Sequence, residues 1–149
     1  MIIHPYIDGW EKRLDQWVSR SHRMAFQWGV HDCGLNAASA VEAQIGLDFA
    51  TDFRGKYDDY EGGLALLAAK GFSNHAELAA SVLPEIPPAF AQIGDLAAVD
   101  FGRAGIALMV VAGHRLIGPM PEMAGNLSRL KAFRAFAVGY QPDLDLINA

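Results

Sequence analysis

The residue best suited to covalent chemistry in this chain is Cys33, the single cysteine among 149 residues. It lies in the segment 26–35, FQWGVHDCGL, where a turn containing Gly29 leads into an apolar stretch typical of a helix. The free N–H groups and positive dipole end of a helix N-terminus favour thiolate over thiol, and the thiolate is the reactive form. Cys33 is therefore a candidate nucleophile. The alternative is a small buried residue without chemistry, a common role of free cysteines.

A cysteine nucleophile needs an imidazole that takes its proton and a third polar group that orients the ring. His31, two residues before Cys33, could reach the sulfur if the turn folds back, or could instead hydrogen-bond to the backbone of the turn. His114 is the second candidate base. The other histidines lie in segments predicted to be exposed and receive no role: His4, His22 and His75.

Other polar residues have weaker claims to a site. No metal or cofactor is expected, because the chain has no paired cysteines and no His-x-x-x-His spacing. The acidic group 58–61 is typical of the first turn of a helix. Asp95 is a turn residue or a catalytic one. Arg54 could clamp a carboxylate or tether its loop, and the tether is the favoured interpretation.

Helices are predicted in the first half of the chain. Apolar residues at helical spacing indicate a helix from Trp10 to Arg20, and a second from Cys33 to Ile45 that ends at Gly46. A third helix is predicted over 61–70, closed by Gly71, and a fourth from an N-cap at Ser73 to Ala80.

Strands are predicted in the second half, where short apolar runs are separated by glycine. They cover 96–99, 106–111, 115–117 and 132–138, with a hairpin at 112–114. Helices followed by strands predict an α+β fold, with N-terminal helices packed on a mainly antiparallel C-terminal sheet. The length favours a single domain over 1–149.

Composition limits the classes of partner. A net charge of −5 and a pI near 5.4 argue against nucleic acid, whose phosphates require clustered basic residues. No run approaches the roughly 20 apolar residues that a membrane span needs, so no membrane insertion is expected. The N-terminus lacks the features of a secretory signal, which predicts synthesis in the cytoplasm.

The segment around Cys33 resembles the nucleophile segment of NlpC-type cell-wall cysteine peptidases, papain-like enzymes in which an aromatic-x-x-Gly turn leads into Asp-Cys-Ser-Gly. Asp32, Cys33 and Gly34 match except that the serine is missing. The chain is still more similar to a phage-associated family of NlpC-like proteins. Three ordered motifs carry that likeness: WGVHDC at 28–33, FRGKY at 53–57 and AQIGD at 91–95.

The resemblance implies a papain-like fold with Cys33 as nucleophile and Phe26, Trp28 and Asp32 as candidate substrate-binding residues. In NlpC-type enzymes the catalytic histidine opens the strand after the Gly-Asp motif. That position falls on Ala107 here, and the orienting position falls near Gly118. His114 lies seven residues further on, some 20 Å along a straight strand.

Two functions follow from the resemblance. The favoured one is a phage or phage-derived tail component that keeps the NlpC-like fold with impaired catalysis, is incorporated into a virion or virion-like tail, and binds tail-tip or hub proteins. The alternative is an active papain-like cysteine amidase or endopeptidase that cleaves peptidoglycan peptides, with His31 or His114 as base. The C-terminal segment 141–149 could add a strand to a partner's sheet or remain frayed.

Overall fold

A computed structural model describes residues 3–121 and 125–141 of the chain. In this part four helices precede six strands. The helices are α1 (Trp10–Ser21), α2 (Cys33–Ile45), α3 (Tyr60–Ala69) and α4 (His75–Val82). The strands are β1 (Glu85–Ile86), β2 (Leu96–Asp100), β3 (Ile106–Ala112), β4 (Arg115–Ile117), β5 (Asn126–Ser128) and β6 (Ala132–Phe136). The α+β class is confirmed. The segment 141–149 was proposed as an added strand, and its residues from 142 onward lie outside the described part of the chain.

Capping residues set the ends of α2. Asp32 has an extended backbone, and its Oδ1 accepts a hydrogen bond from the Leu35 N–H at 3.0 Å. This satisfies one of the N–H groups that have no partner within the helix. Gly46 ends the helix in the left-handed conformation, with φ of 78°, as the sequence predicts. Both predicted bounds of α2 are confirmed.

The N-cap of α4 is Asn74 and not Ser73, so the sequence prediction was wrong by one residue. Asn74 Oδ1 accepts from the Glu77 N–H at 3.1 Å. Asparagine caps as well as serine does, and the sequence offered the two side by side. The shift matters because it makes His75 the first residue of α4.

The six strands form one sheet in the order β1-β6-β2-β3-β4-β5, and each pair of neighbours is antiparallel. The predicted hairpin is confirmed, because β3 and β4 pair across the two-residue turn Gly113-His114. The sequence pattern does not predict β1 and β5. Each contains only one apolar residue, so pairing with neighbouring strands creates these strands and periodicity does not reveal them.

Both faces of the central strands are buried. Leu96, Ala98, Leu108 and Val110 face the helices. The alternate residues form a second apolar cluster on the other face, which includes Ala97, Ala107, Met109, Val111 and also Cys33. Because side chains alternate along a strand, burial on both sides produces the nearly continuous apolar runs of β2 and β3.

The strand β3 supports the candidate site. Both α2 and α4 pack against it. The N-terminal residues of the two helices, Cys33 and His75, contact each other there although 42 residues separate them.

Candidate active site

Cys33 is the first residue of α2 and is largely buried, with 8% of its surface exposed. Backbone groups of Leu108, Gly34 and Cys33 itself lie close enough to the sulfur to favour its ionised form. It also belongs to the same apolar cluster as Ala107, the residue at which the resemblance places the catalytic histidine. At that position the strand presents a methyl group and no imidazole.

The imidazole nearest to the sulfur comes from a different element. His75 Nε2 lies 3.9 Å from Cys33 Sγ, within the range of a hydrogen bond to sulfur. His75 is partly buried, although the sequence analysis placed it in an exposed segment and gave it no role. That expectation is corrected here. Asn74 followed by Glu77 three residues later was a usable signal for a helix start, but only tertiary packing joins the two helix N-termini.

Asp32 organises the backbone around Cys33. Its Oδ1 caps α2, and its Oδ2 accepts from the Gly29 N–H at 3.0 Å and from the Tyr57 hydroxyl. Three donors therefore hold one buried carboxylate, which is 2% exposed. With its lone pairs occupied in this way, Asp32 acts as a positioning residue for the start of the helix.

Gly29 explains why two of the sequence motifs occur together. Its φ is 79°, and a Cβ there would lie 1.9 Å from the backbone oxygen of Tyr57. Only glycine allows this approach. The Gly29 carbonyl in turn accepts from the Gly55 N–H at 2.8 Å, so the 53–57 loop is fastened to the turn that precedes Cys33.

Arg54 tethers the same loop, as the favoured interpretation predicts. It donates to both Asp48 carboxylate oxygens, at 2.9 and 3.1 Å, and to Ser39 Oγ at 3.1 Å.

The residues proposed as the acidic start of a helix behave as predicted too, since Asp59 caps α3. Asp95 is 4% exposed and accepts from two backbone N–H groups, so its contacts are those of a turn residue.

Burial dominates the ionisation of the pair. It raises the pKa of the Cys33 thiol from an ordinary value of 9.0 to about 11, against the opposing backbone hydrogen bonds. Burial likewise lowers the pKa of His75, although the charge of Asp32 and a hydrogen bond with the Ile106 backbone oppose this. The sequence expectation that the helix N-terminus makes a thiolate is therefore corrected. At neutral pH the pair is a thiol beside a neutral imidazole, and neutral imidazole is the form that accepts a proton.

The other two candidate bases lie elsewhere. His31 is 2% exposed, and its Nε2 lies 3.2 Å from Ser21 Oγ. His114 is exposed in the tight turn between β3 and β4. Neither is among the hydrogen-bond partners of Cys33 in the described part of the chain.

The two aromatic candidates form a cluster with Tyr60. The rings of Phe26 and Trp28 meet edge to face at 4.9 Å, and Trp28 lies 5.6 Å from the ring of Tyr60. Trp28, Tyr60 and Asp32 line a cavity that also contacts His75. Of the three residues predicted to bind substrate, Trp28 and Asp32 therefore border this cavity.

Residues 3–121 and 125–141 contain neither a metal-binding cluster nor a helix that could span a membrane. No group of three or more His, Cys, Asp or Glu side chains is arranged there to hold a metal ion. Nor does any helix in these ranges have the length and apolarity needed to cross a membrane.

Comparison with known proteins gives one match. The model of a family described as Domain of unknown function (DUF6950) matches residues 6–138. No curated protein and no solved structure matches the chain. The matched range covers most of the chain and includes Cys33, Asp32, Tyr57 and His75. The chain therefore belongs to the family described as Domain of unknown function (DUF6950).

Proposed function

We propose that this protein is a papain-like cysteine amidase or endopeptidase in which Cys33 is the nucleophile and His75 the general base. The observation that carries the proposal is the 3.9 Å contact between Cys33 Sγ and His75 Nε2 at the N-terminus of a helix. A cysteine at the start of a helix that packs on an antiparallel sheet is also the arrangement that the NlpC resemblance implies. In this proposal α4 supplies the histidine that the resemblance would put at Ala107.

The chemistry follows from the resting state of the pair. His75 Nε2 takes the proton from Cys33 Sγ as the sulfur forms a bond to the amide carbonyl carbon. The N–H groups of Cys33 and Gly34 face the sulfur, so they are close enough to donate to the oxyanion that forms. The C–N bond then breaks, and His75 returns the proton to the leaving amine. Water attacks the resulting thioester with His75 again as base, which releases a carboxylic acid and restores the thiol.

Acyl-enzyme formation with an activated ester tests this proposal. With p-nitrophenyl acetate the parent protein should gain one acetyl group on its only cysteine, detected by mass spectrometry of the quenched protein. His75→Gln should slow this step on the order of 10²-fold, the lower range for loss of a general base. His114→Gln, at an exposed turn, is the matched control and should react like the parent. Equal rates in all three proteins would contradict the proposal. Cleavage of peptidoglycan peptides by the parent protein then tests the substrate class.

A second candidate function is that of a phage tail component that binds tail-tip or hub proteins. A group of exposed apolar side chains favours it: Phe90 is 71% exposed, Ile93 60%, Leu130 90% and Phe133 49%. Arg129 brings their two segments together, since its guanidinium donates to the Pro88 and Ala91 carbonyls at 3.0 and 2.8 Å. Exposed apolar patches of this kind mark interaction surfaces.

The tail-component function predicts that Leu130→Asp weakens association with a tagged tail-tip protein of the same phage or prophage. Leu47→Asp, at an exposed leucine on another part of the surface, should not do so. Equal retention of the two variants on the tagged partner would remove this candidate. In this role the protein is made in the cytoplasm and assembled into a virion-like tail.

A further inference from the structure

A cavity of about 110 Å³ lies between α2, α3 and α4, in contact with His75. Most of its lining is aliphatic or aromatic and comes from all three helices and the 49–53 segment. The lining residues include Leu35, Ala38, Leu64, Leu67 and Leu78. Dry apolar cavities of roughly this size accept small hydrocarbons, since one of about 150 Å³ binds benzene.

The cavity has a polar end, which adjoins the candidate active site through His75, although Cys33 itself does not line the cavity. Asp32, Tyr57 and His75 border it there. The Asp32 oxygens are already held by Tyr57 and two backbone N–H groups. No Lys or Arg lines the cavity within the described ranges, so a carboxylate placed in it would have no counter-charge.

Gly34 lies where the cavity adjoins the Cys33–His75 pair. It follows the nucleophile directly and also lines the cavity. A Cβ at this position would lie 3.7 Å from both Asp32 Oδ1 and His75 Nδ1, between the two side chains. The absent side chain therefore leaves space where the NlpC pattern has serine.

From these contacts we infer that the cavity binds an uncharged aliphatic group of the substrate, adjoining the carbonyl that Cys33 attacks and roughly four to six carbons in size. This inference rests on the proposed function for the reaction, but binding can be measured without it. The group is the acyl chain of a simple amide or the aliphatic side chain of a peptide residue. Charged residues of peptidoglycan peptides do not fit this cavity.

The test is an NMR titration of the Cys33→Ala protein, which cannot react, with propionamide, butyramide, hexanamide and decanamide. The indole N–H of Trp28 reports binding, because Trp28 lines the cavity. Affinity should increase about fourfold per methylene up to hexanamide, from the transfer free energy of a buried CH₂, and should not increase further for decanamide. Hexanoate should bind at least tenfold more weakly than hexanamide. N-acetyl-leucinamide identifies the source of the aliphatic group: tighter binding than hexanamide indicates a side chain, and weaker binding indicates an acyl chain.

Ala38→Leu in the Cys33→Ala background fills the cavity and should abolish the chain-length dependence. Ala65→Leu is the matched control, because Ala65 is exposed on α3 and does not line the cavity. An affinity that is independent of chain length, or unchanged by Ala38→Leu, would overturn the inference. The acetyl-enzyme experiment uses a group too small to need the cavity. Its failure would therefore count against the Cys33–His75 pair alone, and failure of the titration against the cavity alone.

Discussion

In the described part of the chain, the buried His31 and the partly buried His75 lie beside a hydroxyl and a thiol group, and their surroundings differ. The His31 ring contacts Ser21 Oγ at 3.2 Å, and Ser21 donates to Asn36 Oδ1 at 2.7 Å. His75 contacts a sulfur at 3.9 Å and borders a cavity. His31 therefore belongs to a short hydrogen-bonded chain between α1 and α2, whereas His75 faces a group that can react and space that a ligand can enter.

The pKa shifts of His31 and His75 do not distinguish the roles of the two histidines. Burial lowers the pKa of both, and the charge of Asp32 opposes the shift in both. The difference lies in the partners. The serine beside His31 donates its proton to Asn36, whereas the thiol beside His75 lies at the N–H groups of a helix start. A perturbed pKa alone thus does not identify a catalytic histidine, because buried structural networks produce the same shift.

The largest expected effect is a loss of folding stability at alkaline pH, which follows from the burial of the Cys33 thiol. Because the pKa of Cys33 is about 11 in the folded protein and ordinarily 9.0, the unfolded chain loses the proton first as pH rises. Stability should therefore fall between pH 9 and 11 by roughly 2–3 kcal/mol from this group. Cys33→Ala should lose this component of the slope in urea unfolding measured across that range. Identical slopes for parent and variant would mean that the thiol is not buried in solution.

The second-largest expected effect tests whether the Tyr57 hydroxyl holds Asp32 in place. Tyr57→Phe removes the hydroxyl that donates to Asp32 Oδ2 and should lower the free energy of unfolding by about 2 kcal/mol, typical of a hydrogen bond to a charged group. It should also slow acetylation of Cys33, because the start of α2 is less well held. Tyr140→Phe, at a 44% exposed tyrosine, is the control. Unfolding free energies that match for the two variants would refute this role of Tyr57.

The smallest expected effect is that of changing His31, the histidine that contacts Ser21 and not Cys33. His31→Gln keeps a polar side chain near Ser21 but loses the ring, and should cost about 1 kcal/mol of stability, as for one hydrogen bond. The reactivity of Cys33 should be unchanged. Chemical unfolding and acetylation of the same sample measure both. Slower acetylation at full stability would give His31 the role assigned here to His75.

Much of the fold could be predicted from local sequence. Periodicity and cap residues, which act within one or two turns, predict the range Cys33–Ile45 and its end at Gly46, and a short apolar run after a glycine predicts the 115–117 strand. The strands β1 and β5 could not be predicted, because each has a single apolar residue and takes its structure from a paired neighbour. The position of Cys33 at a helix start was likewise a local property.

The base was not predictable in this way. His31 is near Cys33 in sequence, yet its ring is bound to Ser21. His75 is 42 residues away and reaches the sulfur only because α2 and α4 both pack on β3. The ionisation of the thiol was missed for a related reason: the helix N-terminus was visible in the sequence, but the burial that outweighs it depends on the whole core.

The most direct test of the Cys33–His75 pair is the rate of Cys33 alkylation by iodoacetamide at pH 7.5 in the parent, His75→Gln and His31→Gln proteins. Iodoacetamide needs no substrate pocket, and the chain has one cysteine to react. If His75 takes the thiol proton, His75→Gln should react on the order of 10²-fold more slowly while His31→Gln matches the parent. Equal rates for His75→Gln and the parent, or a loss seen only in His31→Gln, would contradict the assignment of His75 as the base.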